Sequence, residues 1–177
     1  MKEINLLKNY PTTKRNLDEA SKLRTDTERK IARRFDKEFF DGDRKHGYGG
    51  YNYNPKYWTQ VVKDFVSYYG LIDGNKILDV GCGKGFMLYD FKRQYPNLSI
   101  SGIDVSEYAI ENSITEVKND LKVASCDNIP FSDNYFDLVI SINTIHNLDK
   151  EGCSKSLKEI CRVSKKYKFI IVDAYSN

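Results

Sequence analysis

The chain has 177 residues, of which 40% are hydrophobic and 30% charged, and its formal net charge is +3. This length and composition predict one soluble globular domain with a buried core and an N-terminal extension. The small positive surplus lies in residues 1–45, where acidic and basic residues are interleaved. Because such a pattern is typical of a solvated helix face, we expect no nucleic-acid partner.

The sequence contains no apolar run long enough to span a membrane, and its first residues lack the apolar segment of a signal peptide. We therefore expect a cytoplasmic protein with no membrane partner. The cysteines form no C-x-x-C pair, and together with two histidines they give no zinc-site spacing. We expect no bound metal.

The N-terminal part predicts an arm followed by a helix. Residues 1–17 are polar and irregular, which indicates an arm that is ordered only by packing. Thr25 and Glu28 form a capping-box pattern, and apolar residues follow it at helical spacing. This pattern predicts one helix from about Asp26 to Phe40.

A loop and a second helix follow. Residues 41–54 are rich in glycine and tyrosine and predict a loop. Asn54 as N-cap and Pro55 at the first helical position predict the start of a helix, which Gly70 ends.

From Lys76 onward, apolar strands alternate with helices, which predicts an α/β fold with a parallel sheet of about five strands covered on both faces. The predicted strands are Lys76–Val80, Ser99–Ile103, Leu121–Ala124, Phe136–Ile142 and Lys168–Ala174. The predicted helices among them cover about Lys84–Tyr95, Glu107–Val117 and Asp149–Val163.

The most informative segment is residues 76–86, where a strand ends in Asp79 and glycines follow at alternate positions. Gly81 and Gly83 allow a close backbone approach and φ angles that a Cβ would forbid. The N–H groups and the dipole at the start of the next helix favour an electron-rich ligand group. We therefore expect a ligand at this turn.

The ends of three further strands carry residues that suit an adenosine. Asp104 ends the second strand, and a carboxylate accepts hydrogen bonds from both hydroxyls of a ribose. Residues 126–131 change from polar to apolar, which suits the edge and the face of a purine. Asn143 and His146 follow the fourth strand. Because the carboxyl ends of parallel strands meet at one edge, we expect these residues to surround one site.

Together these segments resemble the class I S-adenosylmethionine-dependent methyltransferases. Residues 77–85 match the first motif of that family, residues 102–106 resemble its ribose-binding strand end, and residues 129–139 resemble its third and fourth strands. The resemblance covers about residues 70–174. It implies S-adenosylmethionine as cofactor and a Rossmann-like sheet of order 3-2-1-4-5.

The resemblance also implies roles for individual residues. It assigns the methionine end of the cofactor to Asp79 and the glycine loop, the ribose to Asp104, and the adenine to Asp127 and Asn128. The complete set of candidate cofactor-binding residues is Asp79, Gly81, Cys82, Gly83, Gly85, Asp104, Val105, Asp127, Asn128, Ile129, Asn143 and Tyr53.

One feature of the family is missing from the sequence. The family's sheet ends in an antiparallel hairpin after the fifth strand, and this chain shows none after residues 168–174. We therefore expect residues 1–70 to form the arm, helices and aromatic lid loop, and residues 71–177 to form a cofactor-binding domain truncated after its fifth strand. An unpaired edge strand predicts pairing with a second copy or a partner chain.

The aromatic segment 47–58 predicts a lid over cofactor and acceptor. Aromatic faces attract a cation such as the cofactor's sulfonium by ~0.5–2 kcal/mol, and Tyr51 and Tyr53 alternate on one side. Residues 39–53 also resemble a bacterial subgroup associated with sugars and surface polysaccharides. The candidate acceptor-binding residues are Asp43, Arg44, Tyr48, Tyr51 and His146.

Several alternatives stay open at this stage. The favoured function is methyl transfer to a small molecule, such as a sugar or glycan precursor, with His146 as the general base if the acceptor is an alcohol. A non-catalytic S-adenosylmethionine-binding subunit is the second hypothesis. An NAD-dependent oxidoreductase is the third, although its fingerprint is G-x-G-x-x-G and the sequence has G-x-G-x-G. Asp43 and Arg44 fit a solvated turn as well as a substrate site.

Overall fold

The computed structural model describes residues 4–11 and 25–172. Its helices within those residues are α1 (Asp26–Ala32), α2 (Lys37–Phe40), α3 (Pro55–Tyr69), α4 (Phe86–Gln94), α5 (Glu107–Glu111) and α6 (Lys150–Val163). The strands are β1 (Lys76–Val80), β2 (Ser99–Asp104), β3 (Leu121–Val123), β4 (Phe136–Ile142) and β5 (Ser164–Ile171). Short 3-10 turns cover Lys118–Asp120 and Ile145–Asn147.

The strands form one sheet of order β3-β2-β1-β4-β5 in which every neighbouring pair is parallel. This confirms the predicted Rossmann-like α/β fold. The direction of winding reverses between β1 and β4, and ligands bind at the carboxyl ends of the strands beside such a reversal. The fold therefore places the site where β1 and β4 end.

Apolar side chains cover both faces of the sheet. On one face, α3 and α4 pack their buried residues, such as Phe65 and Phe91, against Ile77. On the other, Leu78 packs with Ile160 of α6. Ile77 and Leu78 are adjacent in β1 and serve opposite layers, because successive side chains of a strand point to opposite faces.

The helix predicted from Asp26 to Phe40 is two helices, so that prediction was wrong in its middle. Phe35 has a left-handed φ of 51°, and the side chain of Asp36 accepts a hydrogen bond from the N–H of Glu38. Asp36 thereby starts α2, because an aspartate side chain satisfies the free N–H groups of a new first turn. The residues between the two helices form a turn instead of a continuous helix.

Other boundaries also moved. β5 begins at Ser164 and not at Lys168, because α6 passes directly into the strand. The helix predicted for Glu107–Val117 ends at Glu111, and β3 ends at Val123. Residues 1–3 and 12–17 of the predicted arm and the last two residues of the predicted fifth strand lie outside the described residues. Within the described chain, no helix combines the length and hydropathy of a membrane span.

Strand β5 pairs with β4 along one edge and with no other strand of the described chain. Lys165, Lys166 and Lys168 on this strand are exposed. Lysines on an edge strand oppose uncontrolled pairing with other sheets. Pairing of this edge with a second copy or a partner stays a prediction.

The contact between α3 and β5 gives a test of the core. Phe65 is fully buried, and its ring meets that of Phe169 edge to face at 4.8 Å between centroids. We expect Phe65→Ala to lower the free energy of unfolding by about 3–5 kcal/mol, because it leaves a cavity. Ile72→Ala, at a residue that is 69% exposed, should change it by less than about 0.5 kcal/mol. Urea unfolding measures both, and equal losses would contradict this account of the core.

Candidate functional site

The loop between β1 and α4 requires glycine for steric reasons. Gly81, Gly83 and Gly85 have φ angles of 84°, 54° and 78°, all in the left-handed region. A Cβ on Gly81 would lie 2.0 Å from Oγ1 of Thr144, which follows β4. The loop thus lies against the end of β4 at a distance that only a glycine permits.

The carboxylate of Asp104 joins the end of β2 to this loop. Its Oδ2 accepts a hydrogen bond from the N–H of Gly83 at 2.7 Å, and its Oδ1 accepts one from the N–H of Ser106 at 2.9 Å. Burial raises the pKa of Asp104, while these backbone bonds act in the opposite direction. The structure therefore brings together the glycine loop and the acidic residue on which the sequence analysis depended.

Asp79, at the end of β1, is a buried acid without a cation. It is 6% exposed, and it forms no ion pair with a described residue. Burial, and secondarily the negative charge of Asp104, raises its pKa to about 8. A buried carboxyl group in this situation needs either a proton or a positively charged ligand group.

Two adjacent cavities open at these strand ends. The larger has a volume of about 380 Å³, within the roughly 300–1,000 Å³ typical of small-molecule sites. The smaller, of about 200 Å³, contains Asp79 and Cys82 in its wall. Both cavities share the wall residues Tyr48, Tyr51, Gly81, Ile142 and Asn143.

The walls of the larger cavity come from two parts of the chain. Strand ends and the loops that follow them supply Gly81, Gly83, Ile103, Asp104, Val105, Ala124, Ser125, Cys126, Ile142, Asn143, Thr144, Asn147 and Leu148. Residues 33–51, which we name the cap, supply Arg33, Arg34, Phe35, Phe39, Phe40, Tyr48 and Tyr51. The cap therefore covers the side of the site that the sheet leaves open.

An ion pair between the buried Lys84 and the partly exposed Asp41 holds the cap to the glycine loop. Nζ of Lys84 lies 2.6 Å from Oδ2 of Asp41 and donates to the carbonyl of Tyr51 at 3.1 Å. The same carboxylate accepts from the hydroxyl of Tyr108 at 2.7 Å and from the N–H of Tyr51 at 2.9 Å. Burial raises the pKa of Asp41, but the bonds from Lys84, Tyr51 and Tyr108 outweigh it and lower the pKa. Asp41 thus serves to anchor the cap.

Stacked aromatic rings form the inner surface of the cap. The ring centroids of Tyr48 and Tyr51 lie 4.2 Å apart, and Tyr51 stacks on Phe86 at 4.6 Å. Both tyrosines line both cavities, where the sequence analysis expected them. The lid loop is therefore packed against the start of α4.

Tyr53 does not face either cavity. Its hydroxyl donates to Oδ1 of Asp90 at 3.0 Å, and its ring packs against Tyr89. Asp90 is fully buried on α4 and also binds Arg93 at 2.7 Å. Tyr53, which the sequence analysis placed at the cofactor, thus lies outside both cavity walls, because the buried carboxylate of Asp90 provides its hydroxyl with a partner.

Asp43 and Arg44 also lie outside the cavity walls. Asp43 accepts a hydrogen bond from the N–H of Lys45 at 3.0 Å, and Arg44 donates to the carbonyls of Gly47 and Tyr48. Of the two readings that were open for this pair, the structure supports a turn with internal hydrogen bonds.

The segment after β4 places its two candidates differently. Asn143 lines both cavities with a left-handed φ of 53°. His146 lies in the 3-10 turn and is not a wall residue, and its buried Nδ1 has no hydrogen-bond partner among the described residues. The structure thus does not bring the predicted general base to the cavity.

The two residues predicted to bind adenine lie just outside the cavity wall. Asp127 accepts a hydrogen bond from the hydroxyl of Ser125 at 2.5 Å and lies 3.7 Å from Nζ of Lys155. Neither Asp127 nor the exposed Asn128 is in the wall. The wall at this point is formed by the preceding residues 124–126, together with Val105.

Two further candidates, Gly85 and Ile129, have close packing contacts or hydrogen bonds within the protein. Gly85 packs where a Cβ would meet Val117 at 2.9 Å, and Ile129 is buried beside α6 with its N–H bound to Glu159. The sequence analysis missed the wall residues of the turn after α1, because it treated that turn as helix. Asp36 was the signal that could have revealed the turn, since aspartate is a favoured N-cap residue.

A parallel sheet of this order, with a glycine loop after β1 and an acid after β2, defines a Rossmann-like domain of the methyltransferase type. The model of the methyltransferase domain family matches residues 77–167, just over half of the chain. The chain therefore belongs to this family of class I enzymes, whose cofactor is S-adenosylmethionine.

Individual relatives agree with this membership. The chain is 36% identical over 120 residues to cycloartenol-C-24-methyltransferase 1 of Oryza sativa subsp. japonica. This match covers 60% of this chain and 34% of that protein. It is 34% identical over 103 residues to phosphoethanolamine N-methyltransferase of Triticum aestivum, covering 55% and 20%. A crystal structure of an S-adenosylmethionine-dependent methyltransferase from Aquifex aeolicus superposes with a TM-score of 0.51 at 25% identity, covering 90% of this chain and 73% of that one. The chain thus spans about a third or less of the two sequence relatives.

The glycine loop provides a steric test. Gly81 and Gly74 have nearly equal φ angles, but a Cβ on Gly74 meets no atom within 4 Å. We expect Gly74→Ala to lower the free energy of unfolding by about 1 kcal/mol. Gly81→Ala should lower it by about 2–4 kcal/mol, because the methyl group also collides with Thr144.

The variant Gly81→Ala with Thr144→Ala is the matched control, because it removes the colliding side chain. It should recover part of the loss in urea unfolding. If Gly81→Ala and Gly74→Ala cost the same, the close contact between the loop and the end of β4 is refuted.

Proposed function

We propose that the chain binds S-adenosylmethionine at the ends of β1, β2 and β4 and transfers its methyl group to a small-molecule acceptor beneath the cap. The observation that carries this proposal is the contact of Asp104 with the N–H of Gly83. It places a carboxylate, backbone N–H groups and two cavities within one site.

The residues present fit this cofactor. Asp79 would bind the ammonium group of its methionine part, because that carboxyl group is buried and has no cation beside it among the described residues. Asp104 would accept hydrogen bonds from the ribose hydroxyls. Val105 is an apolar side chain left 57% exposed in the cavity wall, and it would cover the adenine together with residues 124–126.

The protein's contribution to the reaction is mainly one of positioning. The cofactor supplies a methyl group that its positively charged sulfur already activates. The contacting rings of Tyr48 and Tyr51 would face this charge and exclude water from the reacting atoms. Holding acceptor and methyl group in line removes several kcal/mol of barrier, up to ~7–11 in ideal models. The ion pair of Lys84 and Asp41 fixes the cap in the position that this requires.

The walls of the larger cavity in the described chain contain no histidine. Burial also raises the pKa values of Tyr48 and Tyr51, so neither hydroxyl acts as a base near neutral pH. An acceptor that is nucleophilic without losing a proton to the protein, such as a carboxylate, therefore fits this cavity better than an alcohol.

The names of the relatives indicate that family members differ widely in acceptor, from cycloartenol to phosphoethanolamine. The volume of about 380 Å³ lies near the lower end of the range for small-molecule sites, which favours a compact acceptor. A sugar or glycan precursor is one such candidate, supported by the resemblance of residues 39–53 to a sugar-associated subgroup. Family membership leaves no support for the NAD-dependent alternative.

A non-catalytic cofactor-binding subunit is the second candidate. The unpaired edge of β5 favours it, because such an edge can receive a strand from a partner chain. The three exposed lysines of that strand act against it. Measuring the size of the purified chain in solution, with and without cofactor, separates the two candidates when combined with an activity assay.

Asp104 is the most direct target for a test of cofactor binding. We expect Asp104→Ala to weaken the binding of S-adenosylmethionine at least about tenfold, because it removes charge-assisted hydrogen bonds. Calorimetry measures the dissociation constant, and release of S-adenosylhomocysteine across candidate acceptors measures turnover.

Asp127→Ala is the matched control, because it removes a carboxylate that lies outside the cavity wall. It should leave the dissociation constant within about twofold, since no contact with the ligand is lost. An unchanged constant in Asp104→Ala, or an equal loss in both variants, would refute the assignment of Asp104.

The raised pKa of Asp79 leads us to expect that cofactor binding releases a proton. In the free chain its raised pKa makes it contribute stability at low pH that is lost as the pH rises from 3.8 through about 8. A bound ammonium group would lower that pKa, so binding at pH 7 should release about one proton. Calorimetry in two buffers with different heats of ionisation measures this release. The release should disappear in Asp79→Asn, and its persistence in that variant would contradict the role of Asp79.

A further inference from the structure

Two arginines in the wall of the larger cavity have no charged or hydrogen-bonding partner for their side chains among the described residues. Arg33 and Arg34 follow the last residue of α1, and both are exposed. Neither guanidinium group forms an ion pair or a hydrogen bond with a described residue. They differ in this from Lys84, whose charge is used within the cap.

The break between α1 and α2 places these side chains at the cavity. Phe35 adopts a left-handed φ of 51°, a conformation that is unfavourable for a residue with a Cβ. The ring of Phe35 meets that of Phe39 edge to face at 5.1 Å, and both rings lie in the cavity wall. The turn is thus fixed by packing at the site and not by a glycine.

The charges of this wall are unbalanced. Asp104 is the one acidic residue among the described wall residues, and backbone N–H groups already bind both of its oxygens. The described wall thus contains two arginines and no free carboxylate to balance them. The sulfonium of the cofactor would add a further positive charge. An anionic acceptor would therefore be attracted to this wall.

We propose that Arg33 and Arg34 bind an oxyanion of the acceptor, so that the methyl group is transferred to a small molecule with a carboxylate or phosphate group. This inference rests on the proposed function. The planar fork of a guanidinium group matches both oxyanions with two parallel hydrogen bonds. The proposal also agrees with the absence of histidine from the described wall residues, since an anionic nucleophile needs no base.

Two other ligands for these arginines are less consistent with the structure. The proposed function puts the methionine part of the cofactor in the smaller cavity, where its ammonium group would meet Asp79. The wall of that cavity contains neither arginine, so they would not reach the carboxylate of the methionine part. The phosphates of a nucleic acid need a broad basic surface, whereas here two arginines flank an aromatic pocket on a chain of net charge +3.

The test uses the full chain saturated with S-adenosylhomocysteine. Calorimetry measures the binding of inorganic phosphate and of acetate, which separate the two oxyanions, and of a single-stranded RNA oligonucleotide. The variant is Arg33→Gln with Arg34→Gln. The matched control is Lys30→Gln with Lys37→Gln, which removes the same charge from exposed residues of α1 and α2 outside the wall. A third protein carries lysine at both arginine positions.

We expect phosphate, acetate or both to bind the natural chain and to bind the glutamine variant about tenfold or more weakly, because charge-assisted hydrogen bonds are lost. The Lys30 and Lys37 control should retain that binding, and the lysine protein should keep part of it. The affinity for S-adenosylhomocysteine should stay within about twofold in every protein, since no contact with it is removed.

Other outcomes overturn the inference in recognisable ways. Absence of binding by both anions, or an equal loss in the lysine control, means that the arginines form no oxyanion site. A loss of S-adenosylhomocysteine affinity in the glutamine variant assigns them to the cofactor, and RNA binding that depends on them assigns them to a nucleic acid. If the natural chain fails to bind S-adenosylhomocysteine, the proposed function itself fails.

Discussion

The hydrogen bond between the carboxylate of Asp104 and the N–H of Gly83 is the contact on which the site depends. It fixes the end of β2 against the loop after β1, and so sets the position of every wall residue that those strands supply. The partly buried Asp104 lies close enough to the buried Asp79 for its charge to help raise the pKa of Asp79. Such a pair is poorly satisfied by the protein alone, which suits a site for a cationic, hydroxyl-bearing ligand.

The cap extends this arrangement to the N-terminal part of the chain. Lys84 stands between two of the loop glycines, and its ammonium group ties Asp41 and Tyr51 to the same loop. A partly buried ion pair gives little net stability, because desolvation offsets the attraction. The ion pair of Lys84 and Asp41 instead defines one position for the cap. This also sets the position of the cap's aromatic rings and of Arg33 and Arg34.

The sequence predicted the parallel sheet correctly, because apolar strands alternate with helices, and the resemblance to the methyltransferase family implied the strand order that the structure shows. The sequence also predicted Asp79, Asp104 and Asn143 at the cavities, because each lies at or just after the carboxyl end of a strand. It did not reveal the contact of Tyr53, whose hydroxyl is taken by a carboxylate distant in sequence. It failed at Phe35, because the packing of a non-glycine residue in a left-handed conformation is a tertiary effect that periodicity does not report.

The central claim is that the strand ends and the glycine loop bind one adenosyl cofactor. The most direct measurement follows backbone amide signals by nuclear magnetic resonance during titration with S-adenosylhomocysteine. The account predicts saturable shifts at Gly81, Gly83 and Val105, with no change at Lys166 and Lys168 on the far edge of the sheet. Unchanged signals at Gly83 and Val105 when ligand is in excess would contradict it.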